Sequence, residues 1–191
     1  IMINTTKEAG SNPGPDYTYG WGLLNTKSAA EIILNENGSS DVIREERLAK
    51  DGKFENEFVS DGVTPIRVTI AWTDPSGNSP APSVNPQNLM LVNDLDIRIV
   101  DEEGKTYFPY TLDPSLSLSA KAEIDKDNFR DNVEQIYIPN PKAQRYRVVV
   151  THKGELKNSL QDFSFILKAG TADGAAETLY WIGSTTGDWS N

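Results

Sequence analysis

The chain has no cysteine, so a disulfide framework, a thiolate metal site and a cysteine nucleophile are all excluded. Their absence leaves the compartment open, because many exported bacterial proteins dispense with disulfides. Basic residues are scarce: Lys and Arg total 18 against 28 Asp and Glu, for a formal net charge of −10. A phosphate backbone is bound through clusters of Lys and Arg that this sequence lacks, so nucleic acid is not an expected partner. No run approaches the roughly 18 to 20 apolar residues of a membrane helix, and no basic stretch precedes an apolar segment at the start. No membrane span is expected, and any signal peptide would lie upstream. The hydrophobic fraction of 37% is low for a single compact globule. The sequence opens at Ile1 and stops at Asn191 behind an aromatic stretch, and both ends read as cuts in a longer protein.

What is present divides into three parts. A Gly- and Pro-rich approach, residues 10–22, leads to Asn25, a suitable N-cap for a helix from Thr26 to about Asn35 with an apolar flank of Ala29, Ala30, Ile32, Ile33 and Leu34. Asn37 and Gly38 supply its stop. After Ser40 the helical period disappears, and short alternating runs bounded by Gly, Pro, Asn and Asp take over. Strands are expected at 44–50, 54–59, 66–73, 91–100, 106–110, 133–138, 145–152 and 162–168. Short strands in this number predict a mainly β fold, an antiparallel β-sandwich of jelly-roll type preceded by one helix. The expected division is therefore 1–40 for the turn and helix, 41–170 for the sandwich, and 171–191 for a linker and the start of a further β module.

Within 91–100, Leu95, Ile97 and Ile99 should face the core, leaving Asp94, Asp96 and Arg98 together on the opposite face. Two connections, residues 74–88 and 112–132, are too long for hairpin turns, and loops of that length are commonly functional or mobile.

Serine hydrolysis needs a nucleophile, a base in reach and an orienting carboxylate. The single histidine, His152, closes a strand beside Lys153 and Gly154, with no serine near it in an activating turn. It reads as a partly exposed strand-end residue, and no catalytic residue is assigned. Asp94 and Asp96 resemble the paired carboxylates of a glycosidase, as nearly any acidic strand does.

The acidic loop Asp125, Asp127, Asn128, Asp131, Asn132 and Glu134 invites a calcium reading, although it is no EF-hand: Arg130 replaces the glycine and Ile136 the closing glutamate. A broader calcium pole is conceivable. Asp74 ends one strand, Asn93 and Asp94 begin another, and Asn132 and Glu134 begin a third, so their oxygens could converge where strand ends meet. The competing reading is that Asp and Asn at strand ends bond the backbone of their own turns.

The run Gly14-Pro15-Asp16-Tyr17-Thr18-Tyr19-Gly20-Trp21-Gly22-Leu23-Leu24-Asn25, preceded by Met2-Ile3-Asn4-Thr5 and followed by Ala29-Ala30-Glu31, resembles the end of the catalytic domain of subtilisin-like serine proteases. Downstream, Ala71-Trp72-Thr73-Asp74-Pro75, then Leu91-Val92-Asn93-Asp94-Leu95-Asp96, then Asp131-Asn132-Val133-Glu134-Gln135 and Gln161-Asp162-Phe163-Ser164 look like the signposts of the jelly-roll or β-barrel domain appended to some large secreted bacterial members. The two matches span residues 1–170. The catalytic Asp, His and Gly-Thr-Ser segments of that family precede this region and are absent here, so the resemblance transfers no catalytic residue.

The resemblance implies a non-catalytic accessory region of a secreted or cell-envelope serine endopeptidase. Its partner would be the protease domain upstream in the same chain, and protein or peptide the substrate of the parent enzyme. Calcium is the cofactor the resemblance suggests. On this reading the chain should expose an apolar patch along the helix or around Trp21. The alternative is an independent module binding carbohydrate or a cell-surface polymer, helped by Tyr180, Trp181 and Trp189.

Overall fold

A computed structural model describes residues 1–35, 42–84, 86–116 and 119–170. The stop expected at Asn37 and Gly38, the 40/41 boundary, the linker and the aromatic C-terminal module lie outside the described residues.

One helix, α1 (Thr26–Asn35), precedes eight strands: β1 (Val42–Ala49), β2 (Phe54–Val59), β3 (Ile66–Ala71), β4 (Asp94–Asp101), β5 (Thr106–Tyr107), β6 (Val133–Ile138), β7 (Arg145–Lys153) and β8 (Leu160–Lys168). The strands form two four-stranded antiparallel sheets, ordered β1-β8-β3-β6 and β2-β7-β4-β5. We call these sheet one and sheet two. Each successive strand up to β4 changes sheet, and β5 to β8 return the same way, the winding of a jelly roll.

The alternation read from sequence is what fills the space between the sheets. Leu95, Ile97 and Ile99 of β4 are fully buried, as are Val148 and Val150 of β7, facing Ile66, Val68 and Ile70 of β3 and Phe165 and Leu167 of β8. Aromatic rings fasten the ends: Phe54 packs on Phe163 and Phe165 at 5.7 and 5.0 Å, and Phe58 stacks on Tyr146 at 5.7 Å. The Tyr146 hydroxyl accepts the amide of Lys142, tying the start of β7 to the turn before it.

Where strands are shorter than expected, a competing acceptor explains it. The run beginning at Leu91 enters the ladder at Asp94, because the amides of Val92 and Asn93 donate instead to the Asp74 carboxylate. The run 106–110 pairs for two residues: Pro109 has no N–H, and Tyr110 crosses to sheet one to donate to the Gln135 carbonyl.

Helix α1 starts as expected, with Asn25 Oδ1 accepting the Ser28 amide. Ile32 is its one buried residue. Ahead of it the chain doubles back, with Lys7 and Leu23 exchanging backbone bonds. Gly22 makes that possible: its φ is +94°, and a Cβ there would stand 2.3 Å from the Lys7 carbonyl oxygen.

Candidate functional site

The expected calcium residues fall in two places. At one pole of the sandwich Asp74, Asn93 and Asn132 surround Trp72. Asp74 uses both oxygens on the Val92 and Asn93 amides; Asn93 donates to Gln161 and accepts from the Lys157 amide; Asn132 donates to the Trp72 carbonyl; and Trp72 donates its indole N–H to the Asn93 carbonyl. Strand-end carboxylates and amides here do the work of turn bonds.

Asp94 and Glu134 belong to the second place, the seam between the two sheets. β5 pairs β4 only at Ile99 and Val100, so the first half of β4 has an open edge toward β6. The Ile97 amide points to that edge, and Glu134, rising from β6 in the other sheet, accepts it through Oε2 at 2.8 Å. A buried amide that lost its strand neighbour is thus satisfied by a side chain.

The face of β4 expected to be open is covered, which corrects the one-sided burial anticipated for Asp94, Asp96 and Arg98. Asp96 is 1% exposed. Asp127, in the loop before β6, accepts from Arg98 at 2.6 Å and lies 3.0 Å from the Lys153 ammonium, which also donates to Asp96 at 2.7 Å. Four carboxylates, Asp94, Asp96, Asp127 and Glu134, therefore share two cations.

The imbalance sets their protonation. Burial, and then repulsion from Asp96, push the Asp94 carboxyl up to about 6. Burial holds Glu134 well above the ordinary glutamate range, reinforced by Asp96, Asp94 and Asp127. Burial also raises Asp96, against the Lys153 bond. Burial would lift Asp127 too, but bonds from Arg98 and Lys153 outweigh it and its pKa falls.

Asp94 Oδ1, Asp127 Oδ1 and Glu134 Oε1 are buried without a hydrogen-bond partner, the kind of oxygen a hard cation takes. The spacing does not follow the chemistry. Among the described residues no group of three or more His, Cys, Asp or Glu side chains is placed to hold an ion, and Arg98 and Lys153 already stand at the cluster. Of the five expected residues, Asp74 and Asn93 already give their side-chain oxygens to backbone amides. Sequence reasoning missed Lys153 and the Arg98–Asp127 pair, for which the sequence carries no local signal.

His152 accepts the Asp51 amide at Nε2, 3.1 Å away, and its Nδ1 is buried and unpartnered. Among the described residues no serine hydroxyl and no carboxylate is hydrogen-bonded to the ring. Tyr180, Trp181 and Trp189, on which carbohydrate binding was to rest, lie outside the described residues.

A third feature is the way residues 1–6 lie across the outer face of sheet one. Asn4, 1% exposed, donates to Thr69 Oγ1; Arg67 donates to the carbonyls of Asn4 and Thr6; Gln135 donates to the Ile3 carbonyl and to Thr69. Further along, Gly14 (φ +79°) lies flat on the Tyr110 ring, where a Cβ would come within 2.6 Å. The segment before α1 is thereby latched to the sandwich.

No protein-family model matches the chain, and no curated protein does. Among solved structures, the chain resembles a lipase from Bacillus licheniformis in its propeptide form at 17% identity and a TM-score of 0.35. The match covers 68% of this chain and 21% of that one. The chain thus spans about a fifth of that structure, and a likeness this distant carries no argument about activity.

Proposed function

We propose that this chain is a non-catalytic accessory region of a subtilisin-like serine endopeptidase, a β-sandwich that braces the protease domain upstream of it. The observation that carries the reading is the distribution of exposed apolar side chains. Of the seventeen large hydrophobic residues exposed among the described ones, eight lie within residues 1–35: Ile1, Met2, Tyr17, Tyr19, Leu23, Leu24, Ile33 and Leu34. A helix that buries one residue and leaves Ile33 and Leu34 at 51% and 62% exposure is a helix waiting for a second layer.

The latch supports the same reading. Residues 3–6 are bonded to β3 and β6 through Asn4, Arg67 and Gln135, so whatever domain supplies that second layer is held against the sandwich by more than a tether. Bracing follows from this coupling, because contacts made only in the folded state stabilise both partners. A secreted or cell-envelope location belongs to the same proposal.

The test is to read the frame upstream of Ile1 and express what it encodes beside this chain. An ordered Asp, His and Gly-Thr-Ser set, and co-purification lost on Leu24→Glu with Ile33→Glu, is the expected result. No such set upstream would remove the protease parentage, and undiminished association of the double variant would remove the helix as the contact.

A further inference from the structure

A cleft of about 200 Å³ opens where residues 4–6, the first turn of α1 and the outer face of sheet one meet. We propose that it binds a small oxyanion that also carries a hydroxyl group, of which hydrogen phosphate is the simplest.

The charges come first. Arg67 and Lys168 are directly opposite each other on β3 and β8, and both line the cleft. Like charges facing across a ladder repel. Among the described residues neither Arg67 nor Lys168 has an ion-pair partner, whereas Arg47, Lys142 and Lys153 each do. Arg67 spends one nitrogen, Nη1, on two neutral carbonyls and lies over the Tyr137 ring, and among the described residues its other nitrogens have no hydrogen bond. An anion between the two cations would remove the repulsion and engage donors that now have no acceptor.

The helix adds to the same field. α1 begins at the cleft with Asn25 and Ser28 in its wall and has no acidic residue in its first turn, so the positive end of its dipole is uncompensated. Ser28 Oγ accepts from the Asn25 amide, which leaves its own proton to donate.

Asn4 supplies the independent observation. It lines the cleft at 1% exposure, and its amide nitrogen is directed at the carbonyls of Arg67 and Ile166 as well as at Thr69, acceptors that fix its orientation. Its Oδ1 is buried with no partner. A buried carbonyl oxygen left unpaired has lost its water without a replacement, so a donor belongs there. A bare anion offers none. An oxyanion with one hydroxyl serves both sides of the cleft, its charged oxygens on Arg67, Lys168 and Ser28 and its O–H on Asn4.

The test is a titration of the whole chain with inorganic phosphate at constant ionic strength, followed by amide chemical shifts and by thermal melting. Saturable shifts at Lys27 and Ser28 with a rising melting temperature are expected. Lys168→Met should weaken the apparent Kd at least tenfold, Lys142→Met on the far side should leave it unchanged, and sulfate should bind about tenfold more weakly. The absence of saturable shifts at α1 in the unmodified protein would overturn the site, as would equal binding by Lys168→Met. Equal affinity for sulfate would overturn the pairing of a hydroxyl with Asn4.

Discussion

Glu134 Oε2 accepts the amide of Ile97 across 2.8 Å, joining two strands that belong to different sheets. The bond stands where β5 has ended and β4 has no neighbour, so it closes the seam of the sandwich with a side chain rather than a ladder. Removing the acceptor as Glu134→Ala leaves a buried N–H unsatisfied and opens a void. A loss of about 3 kcal/mol is expected, or roughly 6–12 °C in melting temperature for a chain of this size. Glu134→Gln keeps an acceptor in the same place without the charge, and its melting point should stay within about 3 °C of the parent. If calorimetry finds both variants alike, the bond is not what holds the seam.

Asp94 makes the stability of the seam depend on pH. Its folded pKa of about 6 lies above its ordinary 3.8, so the folded state binds more protons than the unfolded one between those values. Stability therefore falls as pH rises through that window, and the contribution is gone above pH 6. Asp94→Asn should gain at pH 7.5 and match the parent at pH 3.5. A shift of about two units corresponds to about 3 kcal/mol in a dry site, and solvent around this half-buried carboxyl reduces it to about 1 kcal/mol. Urea melts across that range would show the two curves converging at low pH; parallel curves would contradict the assignment.

Arg67 holds residues 4 and 6 by their carbonyls while its plane covers Tyr137 at 4.7 Å. Arg67→Ala should release the latch without unfolding the sandwich. Hydrogen exchange is the measurement: the amides of Thr5, Lys7 and Leu23 should lose protection by a factor of ten or more, with Val148 and Val150 unchanged. A uniform loss across the sheets would mean that the latch is part of the global fold.

The ring of His152 receives an N–H at Nε2, which leaves the neutral proton on Nδ1. Nitrogen-15 spectra at pH 8 should show that tautomer, the less common one for an exposed imidazole. An Nε2–H tautomer at pH 8 would place the Asp51 amide elsewhere.

Much of this architecture was legible in local pattern. Asn25 announced the start of α1, and the alternation of Leu95, Ile97 and Ile99 announced which face of β4 is core, because capping and strand periodicity depend on neighbours a few residues apart. The strands at 54–59 and 133–138 have the bounds expected of them. The bounds that moved did so for side-chain reasons: Asp74 captured two amides that β4 would otherwise have used, and Pro109 denied β5 a donor.

Composition by itself settled that no disulfide, thiolate site or cysteine chemistry operates here, and that the chain carries the acidic balance it does. Periodicity settled that strands dominate after residue 40. Tertiary structure alone decided which strands became neighbours, since β1 pairs with β8 across more than a hundred residues and no local preference encodes such a register. It also decided that Lys153 and Asp127 would meet Asp96, and that Arg67 would face Lys168. The physical reason is the same in each case: a side chain's charge is written in the sequence, but its protonation and its partners depend on what the fold buries beside it.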